Sequence, residues 1–471
     1  MSEKGLEAAY PQVWDRREDW EKITAFSEGY KRFLDQCKTE REAAERIGEL
    51  AREAGFQDLD QLYARGTSLK AGDRVYALRQ HKAAALFVVG ERPVTDGMHL
   101  ICTHIDAPRL DIRPNPVYEK DGLSLLKTHY YGGVKKYQWA TIPLALHGVI
   151  VRKGGERIHV SIGEADSDPV FYISDLPKHL SAQQSARTMA EGISGEDLNI
   201  IFGSIPLEEG DSGRVKGNVL QLLHQRYGVT EKDLTSAELE IVPAGKARDA
   251  GLDSSMIVAY GHDDRICAYT ALQAVLETER PCYTCGVLFV DKEEVGSPGG
   301  CAMDSRYMEN LAARVAALTG GADSMTLRLA LERSKMLSAD VTLAYDPNHP
   351  EGYEPANTAR LGRGPVITKY AGHMGKKGCN DASAEYLALV RDVFDQENVF
   401  WQTGEFGKID FGGGGTIAPF AAAYGMQVVD CGVALLSMHA PHELASKADV
   451  YETYRAYRAF LRSGARLEDY L

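Results

Sequence analysis

Apolar residues recur along this chain at two spacings. Between Arg41 and Ala51 they fall at Ala43, Ala44, Ile47, Leu50 and Ala51, with Arg41, Glu42, Glu45, Arg46 and Glu49 between them. Three-to-four spacing with charge on the opposite side predicts an amphipathic helix. Helical patterning covers about Trp14 to Ala64. It returns after Asp264 (Ile266, Tyr269, Leu272, Val275, Leu276), over Glu385 to Phe394 and over Ala445 to Arg462. Other stretches are short apolar runs that read as strands. The pattern turns strand-like from Tyr76 to Leu110. Leu144 to Arg152 and Arg157 to Ile162 are joined through Lys153-Gly154-Gly155-Glu156, which is a hairpin signal.

Several of these runs end on residues that carry chemistry. Gly286 to Val290 reads as a buried strand and leads into Asp291-Lys292-Glu293-Glu294-Val295-Gly296. Two adjacent carboxylates repel, and neither is cheap to desolvate. A cation compensating one, while the other does acid–base work, explains such a pair. Met98 to Thr103 leads into His104-Ile105-Asp106, and Met256 to Tyr260 into Gly261-His262-Asp263-Asp264. Ser338-Ala339-Asp340 opens the run Val341 to Ala344, and Val428 to Leu436 leads into Ser437-Met438-His439. Open α/β sheets place their sites outside the carboxyl ends of the strands. Convergence of these borders puts imidazole nitrogen and carboxylate oxygen in one crevice, a donor set that suits Zn²⁺, Mn²⁺ or Co²⁺.

The expected fold class is α/β: a discontinuous α/β/α metallopeptidase domain from residues 1–106 and 254–471, interrupted by a β-rich domain over 107–253. A length of 471 residues is too great for one ordinary core. Hydrophobic residues at 44% and charged residues at 25% fit a water-soluble globular chain. The net charge of −14 argues against nucleic acid or anionic membrane as the main partner. No apolar run is long enough to span a bilayer, and Met1 to Glu21 is charged without an apolar signal core, so the expected location is cytoplasmic. Of the eight cysteines, Cys282 and Cys285 alone have ligand spacing, and a second pair is missing; buried thiols on a strand are the simpler reading. Gly412 to Gly415 reads either as a flexible turn or as backbone that approaches a ligand closely.

Taken in order, Thr103-His104-Ile105-Asp106-Ala107-Pro108, His262-Asp263-Asp264-Arg265, Glu293-Glu294-Val295-Gly296-Ser297, Ser338-Ala339-Asp340 and Ser437-Met438-His439-Ala440 resemble the aspartyl aminopeptidase family of metallo-aminopeptidases. Gly364-Pro365-Val366-Ile367 and Gly415-Thr416-Ile417-Ala418-Pro419 extend the resemblance over most of the chain. Asp264 and the segment around Trp139 place it nearer a bacterial branch than the eukaryotic one. The resemblance implies removal of the N-terminal residue of peptides by a water activated between two divalent ions, zinc first, with manganese and cobalt as alternatives. It implies that Asp263 bridges the ions, that His104 and Asp340 complete one, and that Glu294 and His439 complete the other. Glu293 would be the general base and Asp106 would orient His104. It implies a homo-oligomer, in relatives a dodecamer, with the inserted domain serving association and His179 reaching a neighbouring subunit's pocket to bind substrate.

Each residue alone has a plainer reading. Asp263 and Asp264 could cap a helix, Asp340 could cap a turn, and His439 could sit in a loop before Pro441. Taken together, five ligand-type groups at strand borders make independent structural roles an improbable explanation. His262, His442 and Asp346 are read as structural. Two competing functions are a metal-dependent deacylase acting on other amides and a non-catalytic scaffold on the same fold. The intact set of Glu293 and all five ligand-type groups argues against the scaffold.

Overall fold

The structure is a computed structural model that describes residues 10–321 and 323–471. Residues 1–9, part of the charged stretch at the start of the chain, lie outside the described residues. Among the described residues the strands form three sheets of nine, six and five strands.

The nine-stranded sheet is the centre of the molecule. Its middle is four neighbouring parallel strands in the order Cys285–Val290, His99–His104, Lys335–Ser338 and Gln427–Gly432. Alternate side chains pack on opposite faces. Val287, Phe289, Ile101, Leu337 and Val429 meet the helices Trp20–Gln36, Glu40–Glu53, His262–Leu276, Ala384–Gln396 and Lys447–Arg462. Leu288, Val290, Leu100, Cys102 and Val428 meet Leu59–Arg65, Tyr307–Leu318 and Ala418–Ala422. Both faces are therefore covered, which makes the three-layer α/β/α arrangement expected of a largely parallel sheet. The helix expected over Arg41 to Ala51 runs Glu40–Glu53, opened by a reciprocal cap between Thr39 and Glu42.

The six-stranded sheet is antiparallel and is drawn from Arg109–Lys120, Leu123–Tyr131, Leu144–Val151, Arg157–Ile162, Ile200–Gly203 and Ala237–Pro243. Leu144–Val151 and Arg157–Ile162 form the expected hairpin. It has its own apolar cluster around Trp139 and Leu144. Arg109, 3% exposed, ties it to the rest through Glu40 at 3.4 Å and stacks over the Tyr131 ring at 3.7 Å. The five-stranded sheet contains Met256–Ala259, Glu443–Ser446, Ala434–Leu436 and Thr342–Leu343.

Two local readings are refined. Asp340 does open onto a short strand, Thr342–Leu343, and it also follows a buried strand, Lys335–Ser338, that the hydrophobic pattern did not show. Lys335 and Ser338 hid that strand from a hydrophobicity reading, because Lys335 buries its stem and holds its ammonium over Tyr283. The run Val428 to Leu436 is not one strand. It splits into Gln427–Gly432 and Ala434–Leu436, which belong to different sheets. All eight cysteines are free thiols, and Cys285 lies on its strand as expected.

Candidate metal centre

The four central parallel strands end at one edge, and the expected side chains gather there. His104 is the last residue of its strand and is 1% exposed. Glu293 and Glu294 follow Cys285–Val290 in a single turn, entered through Lys292 at φ +73°. Asp340 lies two residues past Ser338. Asp263 comes from the five-stranded sheet, after Met256–Ala259, at a point in His262–Leu276 where the backbone is not yet helical and the Asp263–Asp264 peptide is cis. His439 lies between Ala434–Leu436 and Glu443–Ser446, at φ +65°. Left-handed backbone at Lys292 and His439, neither of them glycine, costs about 1–3 kcal/mol each and persists only where the surroundings enforce it.

The two imidazoles face opposite oxygens of one carboxylate. His104 Nε2 is 3.2 Å from Asp263 Oδ1 and 3.8 Å from Asp340 Oδ1. His439 Nε2 is 3.2 Å from Asp263 Oδ2 and 3.4 Å from Glu294 Oε2. His104, Asp263 and Asp340 form one group whose donor atoms lie within 4.8 Å of one another, and Asp263, Glu294 and His439 form another. Asp263 Oδ1 and Glu294 Oε1 are buried and make no hydrogen bond. Orphaned buried carboxylate oxygens are costly in a folded protein, and a bound cation satisfies them. The residues present fit divalent ions held by nitrogen and oxygen.

The surrounding hydrogen bonds fix how these groups point. His104 Nδ1 lies 3.0 Å from the Asp106 carbonyl oxygen and 3.3 Å from Asp106 Oδ1, so its N–H donates there and Nε2 turns its lone pair toward Asp263. His439 Nδ1 donates to the Gly133 carbonyl at 3.2 Å with the same effect. A Cβ at Gly133 would stand 2.9 Å from His439 Nδ1, so glycine permits that approach. Asp106 also accepts the N–H groups of Glu293 at 3.2 Å and Glu294 at 3.3 Å, and the Tyr131 hydroxyl at 2.6 Å.

The charges are unbalanced. Burial, then the charge of Asp340, pushes the Glu293 carboxyl up to about 8. Burial, then Asp263, raises Glu294 well above the usual range. Burial alone would lower the histidines, but Asp106, Asp263 and Asp340 outweigh it at His104, while Asp263 and Glu294 lift His439 to about 10. Burial would raise Asp263, yet the two imidazoles hold it below the usual range. Carboxylates that resist ionisation, beside imidazoles that hold protons, are what a cluster of ligands does when charge compensation comes from protons alone.

Glu293, Asp263, Glu294, Asp340 and His439 line one cleft of about 510 Å³, with Gly413 to Gly415 along its wall. Of the glycine run Gly412 to Gly415, the last three therefore lie on the cleft wall. His179 is not among these residues. It lies exposed on the turn Lys178–Leu180 of the β-rich region. Asp346 accepts the Asn348 N–H in a loop, as a structural residue does. Glu443 escaped the sequence reading: buried at 1% exposure, it accepts the backbone N–H of both Asp263 and His439. Tyr131, Gly133 and Asp430 were missed as well, since each reaches the site by a pairing distant in sequence.

A family model described as aminopeptidase I zinc metalloprotease (M18) matches residues 33–461. The chain belongs to the M18 aminopeptidase family. It is an α/β metal-dependent aminopeptidase, a hydrolase of the zinc metalloprotease class. A protein of Clostridium acetobutylicum named probable M18 family aminopeptidase 1 is 50% identical over 96% of this chain and 98% of its own length. The crystal structure of an M18 aminopeptidase from Thermotoga maritima superposes with a TM-score of 0.92 at 42% identity, covering 97% of this chain and all of the other. A Saccharomyces cerevisiae mApe1 dodecamer shares the fold alone, with a TM-score of 0.74 at 21% identity over 93% of this chain and 97% of that one. Among the described residues no helix of this M18 chain is long and apolar enough to cross a membrane.

Proposed function

We propose that this aminopeptidase releases the N-terminal residue of peptides at a two-ion centre in which Asp263 bridges, His104 and Asp340 complete one position, and Glu294 and His439 complete the other. The observation that carries this is the placement of the two imidazoles on opposite oxygens of Asp263, at 3.2 Å each. Divalent ions so held, zinc first, supply a Lewis acid for the peptide carbonyl and acidify water.

The chain's own residues do the rest. Glu293 lines the cleft and belongs to neither ligand group. Its carboxylate accepts a proton from the attacking water and returns it to the nitrogen of the leaving amine. Asp106 holds His104 in one tautomer and, through the two N–H groups it accepts, sets the turn that presents Glu293 and Glu294.

Residues 1–106 and 254–471 serve as the catalytic domain and 107–253 as an inserted association domain. Support comes from the exposed apolar residues Val170, Leu176, Leu180 and Met189, all on the inserted segment. A homo-oligomer of this chain would cover them, and the yeast relative is described as a dodecamer. His179, between Leu176 and Leu180, is then delivered to the cleft of a neighbouring copy. Peptides are the partners, and a cytoplasmic site suits the eight free thiols.

Glu293→Gln tests the roles. It should lower kcat by about 10²–10⁴-fold while metal content by elemental analysis stays at the wild-type value. Loss of an ion with the activity would make Glu293 a ligand.

A further inference from the structure

Beyond Asp340, the sheet offers the cleft one more carboxyl. Asp430 lies on Gln427–Gly432, opposite Ser338 on one neighbouring strand and Thr368 on the other. It lines the cleft and is only 5% exposed. The hydroxyls of Ser338 and Thr416 stand against the Asp430 carboxyl, although Oδ1 and Ser338 Oγ do not meet in good hydrogen-bond geometry. Burial, with Asp340 adding to it, pushes the Asp430 carboxyl up to about 7. A largely buried carboxyl with only two neutral donors has room for a charged one.

The mechanism leaves this group unused. The other ionisable residues on the cleft wall are the proposed base Glu293 and the four ligand-type groups Asp263, Glu294, Asp340 and His439, and among the described residues no Lys or Arg lines the cleft. An acidic first residue of a substrate therefore meets no Lys or Arg among the described residues of the cleft, whereas a basic one has the Asp430 carboxyl within the same wall. Ala371 and Phe406 give the same wall an apolar surface on which an alkyl stem can lie. Asp430 stands one strand farther than Asp340 from Glu294 in the nine-stranded sheet and belongs to neither ligand group.

We propose that Asp430 is a specificity-determining residue, and that its carboxylate receives the ammonium or guanidinium of a lysine or arginine at the substrate's N-terminus. This rests on the aminopeptidase reading of the same cleft. Charge pairing with the Asp430 carboxylate favours the basic residue, and an aspartyl or glutamyl side chain is repelled.

The test compares kcat/KM for Lys, Arg, Leu and Asp chromogenic amides on the metal-loaded wild-type protein, Asp430→Asn and Asp430→Ser. Asp430→Asn should lower the Lys-to-Leu ratio about tenfold or more, through KM, with Leu turnover within about twofold of wild type. Asp430→Ser, smaller and uncharged, should move the ratio the same way. An unchanged ratio in both variants overturns the proposal while the aminopeptidase reading stands. Equal loss on all four amides also overturns it, assigning Asp430 to the shared α-ammonium or to the fold. If no amide is cleaved, the aminopeptidase reading fails instead. Calorimetric binding of lysinamide against leucinamide to the wild type and Asp430→Asn then still decides the role of Asp430.

Discussion

Glu443 Oε2 accepts the backbone N–H of Asp263 at 3.1 Å, across 180 residues of sequence. Its other oxygen, Oε1, accepts the N–H of His439 at 2.8 Å. One buried side chain thus locks the backbone of the proposed bridging ligand to that of a second ligand. Glu443→Gln keeps the shape but turns an NH₂ group toward one of those N–H groups. The expected result is a loss of about 10- to 100-fold in metal affinity, read by competition with a chelator, in a folded protein. Unchanged affinity would mean that the two backbones hold their positions without Glu443.

Tyr131 makes a parallel case from the six-stranded sheet. Its ring packs under Arg109 at 3.7 Å, and its hydroxyl donates to Asp106. Burial would raise the Asp106 carboxyl, and the bonds to His104 and Tyr131 bring it below its usual range. Tyr131→Phe removes one donor and keeps the packing. Activity should fall about tenfold with little change in unfolding temperature. Wild-type activity would show that Asp106 is oriented by its backbone bonds alone.

Much of this site was legible because its chemistry lies in short motifs at strand ends. His104, Asp106, Asp263, Glu293 and Glu294 each border an apolar run long enough to read as a strand, and the structure puts them where such a border should fall. Asp340 was found for a different reason than its place in the sheet, because Lys335–Ser338 has polar residues at both ends. Glu443, Tyr131 and Asp430 carry no local signal. A Glu before Leu444, a Tyr ending an exposed-looking strand and an Asp inside an apolar run acquire meaning only when sheets from separate stretches meet. Gly432 shows how closely they meet: a Cβ there would collide with the carbonyl of Asp340.

The charge pattern predicts how stability depends on pH without metal. Glu293 and Glu443 are raised from 4.5 to about 8, each by burial first, and His439 from 6.5 to about 10, where Asp263 and Glu294 outweigh its burial. For all three groups the folded chain holds protons that the unfolded chain releases. Each contribution is complete below the unfolded pKa and is lost as pH rises through the folded one. The chelated protein should therefore melt at falling temperature as pH rises from about 5 to 9. The metal-loaded protein should be flatter over the same range, since ions replace those protons. Parallel curves for the two forms would contradict the placement of a cation at His439 and beside Glu293 and Glu443.

The most direct test of the proposed two-ion centre is stepwise metal restoration. The chelated protein is titrated with Zn²⁺, Mn²⁺ or Co²⁺ while hydrolysis of a panel of aminoacyl chromogenic amides is followed, for the wild type and Asp263→Ala. The account predicts that chelation abolishes cleavage and that activity returns fully only at two ions per chain. It predicts that Asp263→Ala neither binds two ions nor regains activity. Full activity at one ion per chain, or an active Asp263→Ala enzyme, would contradict the two-ion centre.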